Sequence, residues 1–200
     1  MPASQSLPLF PLQSVLFPHS RMNLRVFEAR YLDMIGRCMQ ANAPFGICLI
    51  AEGSEVGAPA LPHRIGTEAL IVDWDMSQPG ILGLVVRGGR RFRILEQEVD
   101  SQGLLTGEIE WLGEPANEPP AAEFLNLLPL LAVVLKDAGE ARIPRPYALD
   151  DASWVGYRYA EILPIQPLAR QRLLELDDAQ LRLRIIADYL TQQGLLKSVS

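Results

Sequence analysis

After Trp111 the residue pattern of this chain changes abruptly, and that break constrains the fold more than any other feature. Upstream, apolar residues come in short runs rich in Val, Ile and Leu, separated by Gly, Pro, Asp and Ser clusters, which is strand logic. Downstream they recur at helical spacing. The regimes meet in the proline- and acid-rich residues 113–120, GEPANEPP. A chain that segregates strands from helices in this way is α+β. Its 200 residues suffice for one large domain or two small ones. The expected division is a strand domain over 1–115 and a helical bundle over 116–200.

Six runs in the first part read as strands: 7–12, 45–51, 65–74, 80–87, 90–99 and 104–112. Pro8 and Pro11 in the first run predict an edge strand, because proline cannot donate to a ladder. Gly88-Gly89 predicts a two-residue hairpin that sets Val85 opposite Phe92. One helix is inserted, opening near Phe27 and carrying Tyr31, Met34, Ile35, Cys38 and Met39 on one stripe. Six short strands with one helix predict a small, mostly antiparallel barrel.

In the second part, residues 124–135 predict a helix that Pro129 bends or breaks, with Gly139 closing it. Asp150 or Asp151 is placed as the N-cap of a helix bearing Trp154 and Tyr157. Pro167 opens a short helix. Asp177 with Gln180 resembles a capping box for a last helix whose apolar residues cover more than one face, which predicts that neighbours sandwich it.

Few constellations could carry chemistry. His19 and His63 stand alone beside prolines, and neither a CxxC pair nor HExxH is present, so no metal site is expected. Of eighteen basic residues only Lys136 and Lys197 are lysine, and neither sits in GxxxxGK[ST]. No serine lies in GxSxG. The paired acids Asp73/Asp75, Asp150/Asp151 and Asp177/Asp178 fall at strand ends and helix starts, where capping explains them. No catalytic residue and no cofactor are expected.

The net charge of −6 opposes general affinity for phosphate backbones. The cluster Arg87, Arg90, Arg91 and Arg93 keeps an RNA or acidic-peptide contact open. Tyr147, Trp154 and Tyr157 concentrate aromatics that either pack or bind. Arg90, Arg91, Tyr147, Trp154 and Tyr157 are therefore the candidate partner-binding residues. No run is long and apolar enough for a membrane span, and no secretory signal is visible. Cys38 and Cys48 sit amid apolar residues, which suits a reducing cytoplasm.

Residues 7–35, LPLFPLQSVLFPHSRMNLRVFEARYLDMI, closely resemble the start of the Lon protease amino-terminal, substrate-binding domain family. The matching motifs are PLFPL (Pro8, Leu9, Phe10, Pro11, Leu12), LFP (Leu16, Phe17, Pro18) and FExRY (Phe27, Glu28, Arg30, Tyr31). Arg91-Phe92-Arg93-Ile94 and Gln171-Arg172-Leu173-Leu174-Glu175 follow in order. The resemblance implies a six-stranded barrel of the pseudouridine-synthase-associated (PUA-like) type followed by a helical bundle. It also implies a substrate-binding role. The chain ends at Ser200 without the ATPase and serine–lysine protease modules, so it is read as a stand-alone bacterial member to which proteolysis does not carry over. Within the motif, Phe27, Tyr31 and Leu32 are expected to pack the helix onto the barrel, with Glu28 pairing Arg30 or a hairpin arginine.

The expected function is a non-catalytic cytoplasmic module that binds unfolded or partner protein segments. The binding surface is expected on the barrel or in a groove between barrel and bundle, where an unpaired strand edge could accept an added strand. The alternative is an RNA-binding PUA-like domain. Homo-oligomerisation is left open.

Overall fold

The computed structural model describes residues 5–114, 117–140 and 143–196. The boundary expected between residues 115 and 116, and Lys197, lie outside them. The chain forms two compact units, Met1–Gly113 and Glu114–Ser200.

The first unit contains β1 (Gln5–Leu12), β2 (Arg21–Val26), α1 (Ala29–Ala41), β3 (Phe45–Glu52), β4 (Leu61–Gln78), β5 (Ile81–Val99) and β6 (Leu105–Trp111). The strands form one six-stranded sheet in the order β2-β5-β4-β3-β1-β6. An additional β5–β6 pairing closes the circuit β5-β4-β3-β1-β6 on itself. All neighbours are antiparallel except β1 and β3, which run parallel.

The number of strands agrees with the sequence reading because two departures cancel. The segment Arg21–Val26, outside the six expected runs, is a strand of its own. The two runs expected on either side of Gly88-Gly89 are a single strand, β5. No hairpin forms there. Val85 pairs with Asn23 and Asp73, and Phe92 pairs with Gly66 and Trp111. The turn lies instead at Pro79-Gly80, where Gln78 faces Ile81 and Gly80 takes φ +78°.

At Gly88-Gly89 the partner of β5 changes from β2 to β6. A Cβ on Gly88 would run into the Phe17 carbonyl of the crossing chain. His19 N–H donates to Gly88 O at 2.9 Å, and Gly88 N–H donates to Ser20 O at 2.9 Å. The glycines admit a close approach rather than a reversal.

β1 is not an edge strand. Its first part, Gln5 to Leu9, pairs with β6, and Leu9 to Leu12 pair with β3. Pro8 and Pro11 thus each meet one partner, so the missing amide can sit on the locally unpaired side. Leu9, Phe10 and Leu12 are buried in the core.

α1 starts at Ala29, with Glu28 as its N-cap residue, and ends at Asn42, which takes φ +49°. Its buried face is Arg30, Tyr31, Met34, Ile35 and Cys38. The Tyr31 ring stacks on Phe10 at 4.1 Å between centroids. The PLFPL and FExRY motifs therefore meet as one seam. Phe27 does not join it: its side chain is 53% exposed, so the expectation that it packs the helix onto the sheet is corrected.

The second unit holds a short 3-10 turn (Ala122–Phe124), then α2 (Leu127–Ala138), α3 (Ala152–Ile162), α4 (Pro167–Glu175) and α5 (Ala179–Gln192). Pro129 neither bends nor breaks α2. It lies in the first turn, where no intrahelical amide bond is lost. The Asp151 carboxylate accepts the N–H groups of Ser153 and Trp154, which caps α3. Asp178, not Asp177, caps α5 by accepting Leu181 N–H. Leu181 and Ile185 stay exposed, so α5 is not sandwiched on every apolar side.

Candidate recognition surfaces

The residues singled out from the sequence do not gather into one surface. Arg91 is buried, and Arg90 is committed to neighbours. The Arg90 guanidinium lies 3.9 Å from the Trp111 ring centroid and pairs with Glu68 at 3.2 Å. Arg93 pairs with Glu110 at 3.3 Å. Arg90 and Arg93 of the cluster are thus committed to separate partners, and Arg91 is buried.

In the helical unit α3 is buried almost all round, including Trp154 and Tyr157. The Arg182 guanidinium sits 4.1 Å from the Tyr157 ring centroid, and Tyr147 packs 6.0 Å from Trp154. Trp154 and Tyr157 are core and offer no free face. Tyr147 is half-buried. A helix apolar on every side is a centre for its neighbours.

The family motif is likewise occupied by structure. Arg30 donates to Glu28 at 2.9 Å and to Gly103 O at 2.9 Å, and its guanidinium lies 4.6 Å from the Tyr31 ring centroid. Burial, the largest influence, raises the Tyr31 hydroxyl above its ordinary range. These groups tie α1 to the loop before β6.

Among the described residues, no group of three or more His, Cys, Asp or Glu could hold a metal ion. Cys38 and Cys48 are both buried and free. No constellation of nucleophile, base and oxyanion donors is formed by the residues above.

Two surfaces missed from the sequence stand out instead. In the first unit, β2, the first half of β5 and the last part of β4 extend beyond the closed circuit. Beyond Ala69, β4 pairs with β5 alone. Its Val72, Trp74 and Met76 are 45%, 52% and 62% exposed. Beside them a cleft of about 340 Å³ is lined by Asn23, Arg25, Asp73, Trp74, Asp75 and Gly83, among others. A Cβ on Gly83 would meet the Asp75 carboxylate at 2.8 Å, so glycine keeps this cleft open. In the second unit, Leu163, Ile165, Leu173, Leu176, Ile186 and Tyr189 line an apolar groove of about 470 Å³ beside α4 and α5.

Residues 6–192 match the family model described as the ATP-dependent protease La (LON) substrate-binding domain. A Lon protease of Dictyoglomus thermophilum is 23% identical over 193 residues, covering 94% of this chain and 24% of that protein. The chain thus spans about a quarter of the length of this curated relative. The crystal structure of a Lon N-terminal domain protein from Xanthomonas campestris is 39% identical, with TM-score 0.76, covering 92% of this chain and 98% of that one. The N-terminal domain of Mycobacterium avium complex Lon protease shares the fold at 21% identity and TM-score 0.62, covering 94% of this chain and 98% of that chain.

Proposed function

The chain belongs to the Lon substrate-binding domain family, and from that premise we propose that it is a non-catalytic peptide-recognition module acting as an adaptor in cytoplasmic protein quality control. Its ligands are exposed apolar segments of unfolded or partner proteins. The closed pairing circuit of the first unit supports a PUA-like barrel as the scaffold.

The observation that carries this reading is the exposure of Val72, Trp74 and Met76, close together on a strand segment paired on one side only. The exposed half of Trp74, flanked in sequence by exposed Val72 and Met76, contributes nothing to the domain's own stability. Covering the remaining surface of Trp74 against a ligand contributes on the order of 1.5 kcal/mol, roughly tenfold in affinity. The RNA-binding alternative draws less support from the cluster, since Arg91 is buried and Arg90 is held by Glu68 and Trp111.

Reduced, carboxymethylated α-lactalbumin, a permanently unfolded protein, tests the reading by fluorescence anisotropy. Micromolar binding that weakens at least tenfold in Trp74→Ser plus Met76→Ser is the expected result. No binding by the unaltered protein, or full binding by the double variant, overturns it.

A further inference from the structure

The sheet order ends at β2, which pairs with β5 and with no other described strand. The phase of that ladder is set where Gly88 N–H donates to Ser20 O. In an antiparallel ladder every second residue turns both backbone groups toward the same neighbour. Met22, Leu24 and Val26 therefore face β5, while Arg21, Asn23 and Arg25 direct three N–H and three C=O groups outward. No described residue bonds to them.

The same three residues place their side chains on the exposed face, whereas Leu24 and Val26 point into the core. Arg21 stands directly opposite Arg87 of β5, a like-charge pair, and neither has an ion-pair partner among the described residues. Arg25 bonds the neutral Gln78 side-chain oxygen at 2.6 Å. The acids of this face, Asp73 and Asp75, lie across β5, opposite Val85 and Gly83. Their backbones are two strand spacings from β2, about 10 Å, although the Asp75 carboxylate reaches back over Gly83 into the cleft that Arg25 also lines. On its open side β2 thus presents unpaired amides and two arginines, Arg21 and Arg25, that form no direct ion pair among the described residues.

We propose that this edge binds an extended acidic polypeptide segment by adding it to the sheet as a further strand. Arg21 and Arg25 are four residues apart on one face, so the segment carries two carboxylates four residues apart. Apolar residues between them fall on the side of Met22 and Leu24. The incoming carboxylates offset the repulsion between Arg21 and Arg87. This assignment rests on the peptide-recognition reading and names its site and ligand chemistry.

The test uses the 200-residue chain and a fluorescein-labelled heptapeptide, Val-Glu-Val-Ser-Val-Glu-Val, against the same peptide with lysine for glutamate. The Glu peptide binds at least tenfold more tightly, and added salt weakens it. Arg21→Glu plus Arg25→Glu reverses the preference. A Glu peptide N-methylated at its serine, which lacks one main-chain donor but keeps every charge, binds at least tenfold more weakly. Asn23→Pro, which removes one outward N–H from β2, has the same effect. Failure of the unaltered protein to bind either peptide, equal affinity for both, an unreversed preference, or undiminished binding of the N-methylated peptide overturns the proposal. If carboxymethylated α-lactalbumin still binds while the peptides fail, the edge is wrong and the recognition function stands. If both probes fail, both readings fall.

Discussion

Replacing Arg182 by methionine should destabilise the helical unit although the new side chain is apolar and similar in length. Arg182 is fully buried on α5. Its Nε donates to Leu173 O at 2.9 Å, and Nη2 donates to Leu176 O and, at 3.3 Å, to the Tyr157 hydroxyl. Leu173 lies in the last turn of α4 and Leu176 is its C-cap, where carbonyls lack intrahelical partners. One guanidinium therefore satisfies the end of α4 and stacks on α3. Two hydrogen bonds from a charged donor are worth about 1.5–3 kcal/mol each. Methionine has no guanidinium to desolvate, which returns on the order of 2 kcal/mol. The expected net loss is about 2–3 kcal/mol. With a urea dependence of about 1.5 kcal/mol per molar, the midpoint followed by helical circular dichroism falls by roughly 1.5–2 M. Arg184→Met on the same helix removes an exposed pair with Glu123 and a 5.5 Å approach to the Phe124 ring, and should shift stability by less than about 1 kcal/mol. If Arg182→Met is as stable as the unaltered protein, or matches Arg184→Met, the bonds to α4 are not what keeps Arg182 buried.

Burial pushes the Cys48 thiol far above its ordinary range. Cys48 should therefore react with a disulfide reagent at mildly alkaline pH only as fast as the protein unfolds, and rapid labelling under native conditions would contradict that burial. Asp100 is held below the usual carboxylate range chiefly by the Leu104 N–H that its carboxylate accepts, with Gln102 N–H adding to it. A carboxylate with a depressed folded pKa stabilises the turn above its unfolded value and loses that contribution as pH falls through the folded value. The Leu104 and Gln102 amide resonances should accordingly titrate with a midpoint below about 3.9. A midpoint at or above that value, or the same titration in Asp100→Ala, would refute the turn's role.

The sequence made legible whatever depends on local pattern. The break between strand and helix regimes, the buried stripe of α1, the cap at Asp151 and the proline at the start of α4 follow from periodicity and from single-residue chemistry. Pairing was not legible. Gly88-Gly89 carries the same dipeptide signal whether it turns the chain or admits a crossing segment, and only the Phe17 carbonyl beside Gly88 separates the two. Pro8 and Pro11 signal a missing ladder bond, which an outer strand and a strand shared in halves satisfy equally. Trp154 and Tyr157 were correctly placed on one helix, but its burial depends on neighbours far along the chain.

Surface function was legible least, because it lies where apolar residues fail to be buried. From the sequence, Val72 and Trp74 fall in an expected strand, Phe27 is expected to pack a helix, and Met76 lies just past the expected strand end, so none of them announces an exposed surface. The exposure of Val72, Trp74 and Met76 follows from the length of β4 and β5, whose paired ends outrun the closed circuit. The same excess length leaves β2 beside the first half of β5 with an unpaired outer edge. An RMNLRV segment has too few apolar residues to announce a strand, and it alternates because only one of its faces meets the core. The property that hid β2 from the sequence reading, arginine and asparagine at every second position, is the property that gives its free edge a charge to recognise with. Motif and edge thus divide the work of residues 7–35: PLFPL and FExRY close the core through Phe10 and Tyr31, and the strand between them carries the exposed chemistry.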